Sequence, residues 1–103
     1  MNIKISKIEK KIIIEVSGRV DTVAAPKFEA AVKEQITDAE ELVIDMDKLE
    51  YISSAGLRVL LWAQKTMTDR GDMKLINVHE NVMEILEITG FSEILKINQG
   101  GSK

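Results

Sequence analysis

Two serines stand side by side in the stretch YISSAGLRVL, Ser53 and Ser54, where a loop should give way to a helix. Hydroxyls in that place have two uses. A serine oxygen can accept a free N–H of the first turn and so cap the helix. A helix start also presents unpaired N–H groups and the positive end of the dipole, which accommodate a phosphate. The uses are compatible, because a capping hydroxyl at a surface helix start is within reach of a kinase. Arg58, one turn on, can pair with such a phosphate or remain a solvated surface residue. Other chemistry finds little support. A Ser-His-Asp hydrolase needs its nucleophile on a tight elbow such as GxSxG; ISSAG lacks the first glycine, and the chain is not expected to be an enzyme. His79 is the only histidine and has no second ligand type at metal spacing, so no metal site is expected. Asp45 and Asp47, two apart at a strand end, read as solvated loop acids. No phosphate-cradling glycine motif occurs, so no cofactor is expected. Asp21, in GRVDT just before the first helix, reads on spacing as a turn acid.

The scaffold for these groups has 103 residues, 45% of them apolar and 30% charged. That suits one globular domain able to bury a core without staples. The formal charge of −3 provides no basic field for nucleic acid. Cysteine is absent, which excludes disulfides and thiol catalysis and fits a reducing compartment. Neither a signal peptide nor a membrane-spanning apolar run is visible. The expectation is a cytoplasmic protein without direct membrane insertion, with a single domain over residues 1–98 and a flexible tail over 99–103.

Residues 2–6 alternate as a half-buried strand does, and 11–17, rich in β-branched residues and ending at Gly18, read as a second strand paired through a hairpin. Pro26 fits the first turn of a helix that carries Phe28, Ala31, Val32 and Ile36. The apolar run 41–46 reads as a buried strand, 54–69 as the strongest helix, and 73–78 as another strand. HENVMEILEITGF reads as a helix stopped by Gly90, with a last short strand at 93–97. Strands separated by helices need crossover connections, hence a mainly parallel sheet. The opening hairpin adds an antiparallel edge, and the helices lie mostly on one face.

Stepping around the helix from Ser54 puts Gly56, Val59, Leu60, Ala63 and Met67 on one face, which must meet the sheet. Ser54, Arg58, Trp62, Lys65 and Asp69 form the opposite stripe. Gly56 suggests close packing of helix on strand. Trp62 can be a boundary core residue or part of a binding surface.

With these elements in hand, LVIDMDKLEYISSAGLRVLL resembles the central segment of STAS-domain proteins, specifically bacterial anti-sigma factor antagonists. GRVDTVAAPKFEAAV resembles that family's entry to the first helix, and ILEITGFSEIL its last helix and terminal strand. The resemblance implies an α/β STAS fold, a mixed sheet of four or five strands backed by helices. It also implies a non-enzymatic switch: the antagonist binds an anti-sigma factor that is a serine kinase of GHKL type, is released when that kinase phosphorylates it, and is reset by a serine phosphatase. Aligned on Gly56-Leu57, Ser54 takes the phosphoacceptor place, with Ser53 as the alternative hydroxyl, standing where the family most often has Asp. Asp21 matches the family's Asp beside the acceptor. The partner-binding set implied is Asp21, Thr22, Ser53, Ser54, Ala55, Gly56, Arg58 and Trp62. Ala24 stands where the first helix often has a capping hydroxyl. The resemblance also leaves room for a STAS module that is never phosphorylated and serves as a scaffold or ligand sensor in a larger signalling or transport complex.

Overall fold

An alternating run and a β-branched run build the first hairpin. β1 (Asn2–Ile8) pairs antiparallel with β2 (Lys11–Val20), and the tight connection puts Glu9 at a positive φ of 55°. The chain then alternates helix and strand: α1 (Ala25–Ile36), β3 (Glu41–Ile52), α2 (Ser54–Thr68), β4 (Asp72–Ile76), α3 (Glu80–Ile88), a 3-10 turn over Phe91–Glu93, and β5 (Ile97–Asn98). This computed structural model describes residues 1–98; the tail expected over 99–103 lies outside the described residues. The five strands lie in chain order, β1-β2-β3-β4-β5, with only the β1–β2 pair antiparallel. The mixed α/β sheet read from the sequence is therefore the one observed.

One face of the sheet carries the core. Ile12, Ile14 and Val16 of β2, Leu42, Ile44 and Met46 of β3, and Met73 and Leu75 of β4 meet Phe28, Val32 and Ile36 of α1 and Val59, Leu60, Ala63 and Met67 of α2. Val82 and Leu86 of α3 join the same cluster. All of these are the positions that the period of a strand or a helix turns inward. Among the described residues the opposite face has no helix. It is closed by its own side chains: Lys74 pairs with Glu41 at 3.5 Å beside Val43, which is 2% exposed yet stands outside the core cluster.

All five strands differ from their expected bounds: β1 runs on to Ile8 and β4 covers Asp72–Ile76 instead of 73–78, and the other three depart further. β2 does not stop at Gly18. That glycine takes a φ of 86° inside the strand, and pairing resumes at Arg19 and Val20. β3 does not stop at Met46 but runs on to Ile52. Relative to β2 it takes in an extra residue between Asp45 and Lys48 and another between Leu49 and Tyr51. These bulges explain the exposed Asp47 and Lys48 in mid-strand. Asp45 is consequently a strand residue and not a loop acid; its Oδ1 accepts from the Asp47 N–H at 3.0 Å and from Asn77 Nδ2 at 3.1 Å. At the C-terminus, residues 93–97 do not form the last strand. The chain first makes its 3-10 turn, which sends Leu95 into the core, and only Ile97–Asn98 reaches β4.

Because β4 pairs only with Glu41–Asp45, the second half of β3 has no strand on that side. Side chains from the start of α3 take over. Asn81 Nδ2 donates to the Glu50 carbonyl at 2.7 Å, and His79 Nε2 donates to the Asp47 carbonyl. His79 also occupies the N-cap position of α3, without a capping bond from its side chain. At the other end of the sheet, the Arg70 guanidinium donates to the Thr37 carbonyl at the end of α1. There the Asp72 N–H donates to the Glu40 carbonyl at 3.0 Å.

Candidate functional site

The extended β3 delivers the chain to Ser53 with its backbone still extended, φ −87° and ψ 172°. That is the conformation of an N-cap, and Ser53 Oγ accepts from the Gly56 N–H at 3.3 Å. The residue is 6% exposed, and its own N–H donates to the Val20 carbonyl at 2.8 Å. Ser54, the first residue of α2, is exposed. The two hydroxyls thus divide the uses open to them: one caps from inside, the other faces solvent at the positive end of the helix. The first turn of α2 holds no acidic residue, so nothing on it opposes an added anion. Ser53→Ala is expected to lower stability by about 1 kcal/mol, the usual loss for a serine cap; a urea melt with an unchanged midpoint would show the bond at 3.3 Å to be idle.

Gly56 explains how the helix can start there. A Cβ at this position would lie 2.7 Å from Ile52 Cγ1 and 2.9 Å from Val20 Cγ1. The first turn of α2 therefore rests on the last core residues of β3 and β2, as close packing demands. Val20 is also the residue before Asp21, so the Ser53–Val20 hydrogen bond ties the start of α2 to the start of the β2–α1 loop. In that loop Asp21 closes a turn: its Oδ1 accepts from the Ala24 N–H at 2.8 Å, and its carbonyl accepts from Ala25 at 2.9 Å. Ala24, at the N-cap of α1, makes no side-chain cap bond. Asp21 instead receives the N–H groups of Ala24 and Ala25 at the helix entry, and Pro26 needs no acceptor because it lacks an N–H.

Between the first turns of the two helices lies a groove of about 350 Å³. Ala25, Pro26, Ala55 and Val59 give it an apolar floor, and Thr22, Glu29 and Arg58 give it polar walls. One turn beyond Arg58, Trp62 is 37% exposed. Lys33 of α1 reaches across with its Nζ 5.1 Å from the indole ring centre and is held by Glu29 at 3.1 Å. Trp62 is therefore a surface residue with one face covered by a cation.

The structure accordingly gathers Asp21, Thr22, Ser53, Ser54, Ala55, Gly56 and Arg58 at one end of the sheet, with Trp62 one turn beyond Arg58 on α2, outside the groove lining. It adds residues that the sequence did not single out. Val23 is 88% exposed beside Thr22; it stands off the Phe28–Val32–Ile36 stripe of α1, and no periodicity marks it. Lys33 and Glu29 matter through their contact with a different helix, which no local pattern carries. His79, Asp45 and Asp47 belong to the separate cluster that braces β3. Among the described residues, no helix is long and apolar enough to cross a membrane.

This arrangement has counterparts. An anti-sigma-B factor antagonist of Listeria monocytogenes is 33% identical over 102 residues, covering 94% of this chain and 90% of its own length. Among solved structures, SpoIIAA in its unphosphorylated form superimposes with a TM-score of 0.80 at 14% identity, covering 97% of this chain and 90% of its own. The phosphorylated form of the Bacillus cell fate determinant SpoIIAA gives a TM-score of 0.73 at 13% identity, covering 97% and 94%; at such identities the likeness is one of fold. The STAS domain model matches residues 2–100, and the chain belongs to that family.

Proposed function

We propose that this protein is an anti-sigma factor antagonist whose binding surface is the end of the sheet around the start of α2. Its partner is an anti-sigma factor that is also a serine kinase of GHKL type, and the protein acts in the cytoplasm by binding, without turnover of its own. The observation that carries the reading is the division of labour between the two serines: Ser53 is buried as the cap, and Ser54 is exposed beside it. A kinase can reach Ser54 without unfolding the helix. In the transfer, Ser54 Oγ bonds to the γ-phosphorus of the partner's ATP, ADP leaves, and the hydroxyl proton passes to a base. The phosphate adds between one and two net negative charges, about −1.5 to −2 at neutral pH. The first-turn N–H groups and Arg58 can receive it, so α2 keeps its shape. The interface does not tolerate it, since charges that fit a surface shaped around a neutral hydroxyl must be desolvated without partners. A serine phosphatase restores the hydroxyl. Asp21, Thr22, Ala55, Gly56, Arg58 and Trp62 form the contact surface, Gly56 by letting the helix start approach.

The test is a pull-down from native lysate, with and without ATP, followed by mass spectrometry of bait and captured protein. The expected result is a kinase-type anti-sigma factor and, after ATP, a single phosphate on Ser54. A phosphate on Ser53 would require the cap to open and would overturn the assignment of the acceptor. Capture of a transport or scaffold protein with no phosphate would overturn the switch.

A further inference from the structure

Arg58 is a cation without a counter-ion. It is exposed on α2, and none of the ion pairs among the described residues includes it. The two acids of the site have bonds of their own. Glu29, which lines the same groove, is held by Lys33 at 3.1 Å. Asp21 Oδ1 accepts from the Ala24 N–H at 2.8 Å. The first turn of α2 holds no acid, and the groove floor beside Arg58 is apolar, formed by Ala25, Pro26, Ala55 and Val59.

The direction of the side chain matters as much as its charge. Side chains of an α-helix tilt toward its N-terminus and cover the residue one turn back. For Arg58 that residue is Ser54, four positions earlier, and Cβ atoms at this spacing lie about 6 Å apart. The guanidinium therefore has two places within reach: the groove that it lines, and the space over the Ser54 hydroxyl.

We propose that Arg58 is the moving part of the switch: in the unmodified protein it reads a carboxylate of the anti-sigma factor at the groove, and a phosphate on Ser54 draws it back onto the start of α2. This deepens the function proposed above and rests on it. The charge at the contact then changes sign. Unmodified, Ser54 and Arg58 together present one positive charge. The phosphate carries about −1.5 to −2, so with Arg58 bound to it the pair presents about −0.5 to −1. The carboxylate that was attracted is now repelled. The phosphate wins the competition for Arg58 because it carries more charge, accepts both arms of the guanidinium fork and is tethered on the same helix, which gives it a high effective concentration.

Phosphoserine installed at position 54 during translation tests the clamp without any partner, in the parent chain and in Arg58→Gln. The helix start acts on the phosphate in both, so a difference between them belongs to Arg58. Phosphorus NMR is expected to show the phosphate losing its second proton at a clearly lower pH when Arg58 is present. Identical titrations overturn the proposal. The carboxylate contact is read by titration calorimetry with the anti-sigma factor captured by the pull-down. Arg58→Gln, folded by circular dichroism, is expected to weaken binding about tenfold, and Arg58→Lys to recover part of the loss. The penalty of Ser54→Asp, about 100-fold in the parent, is expected to shrink to about tenfold in the Arg58→Gln chain, because the two residues act through one contact. Arg58→Gln binding as well as the parent, or an equal Ser54→Asp penalty in both chains, overturns the proposal and leaves the acceptor assignment standing. Failure to capture an anti-sigma factor would strike the proposed function instead, and the phosphorus titration, which needs no partner, keeps the two failures apart.

Discussion

Ser54→Asp is expected to abolish capture of the anti-sigma factor, lowering affinity by at least about 100-fold, while Ser54→Ala stays within about threefold of the parent. An uncompensated charge buried at an interface costs about 3 kcal/mol or more, and about 1.4 kcal/mol is tenfold in affinity. Alanine removes an exposed hydroxyl and adds no charge. The two variants should move the other way in stability. Ser54 is the first residue of α2, where a carboxylate meets the positive end of the dipole and gains about 0.3–1 kcal/mol. Ser54→Asp should therefore melt no lower than the parent even as it loses its partner, which separates a blocked interface from a damaged fold. Titration calorimetry with the purified partner, beside a thermal melt, measures both. Equal affinity for the two variants would sink the switch.

The second large effect lies at the other end of the sheet. Gly71→Ala is expected to destabilise the protein by about 3 kcal/mol and to lower Tm by more than about 10 °C. A Cβ at Gly71 would lie 1.9 Å from the Glu40 carbonyl oxygen and 2.8 Å from its carbon. Gly71 is not among the glycines with positive φ, so the demand is for space and not for a left-handed backbone. The obstructing atoms are main chain, and the same carbonyl accepts the Asp72 N–H that starts β4. Moving it breaks the entry of that strand. Gly56→Ala makes the useful contrast. Its Cβ would meet side chains only, Ile52 and Val20, which can shift, and alanine in a helix regains about 1 kcal/mol over glycine. The expected loss there is smaller. A Gly71→Ala melt within about 2 °C of the parent would show that the Glu40–Gly71 approach relaxes freely.

How much of this was legible depended on whether the local period survived. α2 could be read nearly residue for residue: Gly56, Val59, Leu60, Ala63 and Met67 are all buried, and Ser54, Arg58, Trp62, Lys65 and Asp69 are all exposed. The second half of β3 could not. Its buried residues Met46, Leu49 and Ile52 are spaced by three, because each bulge inserts a residue into a period of two. With Asp47, Lys48 and Glu50 between them, the segment looks like a loop. Gly18 looked like a strand end for the same kind of reason, since a glycine at a bulge and a glycine at a turn share one letter. The N-terminal part of the site could be assembled because Asp21 and Ser54 sit in recognisable local contexts. The Lys33–Trp62 contact depends on how two helices lie against each other, and no spacing within either helix encodes that; Val23 lies in the loop before α1, where no period operates.

The order of the strands has a consequence for how the chain acquires its shape. Each strand pairs with its predecessor in sequence, so no strand has to be inserted between two that already pair. As the chain leaves the ribosome, the hairpin closes first, and each later strand can then join at one edge through a helical crossover. Ser53 and Ser54 follow β3 directly, and Val20, the acceptor for the Ser53 N–H, is already in the nascent sheet when they emerge. The start of α2 can thus be seated on β2 and β3 before β4 and β5 complete the opposite edge of the sheet.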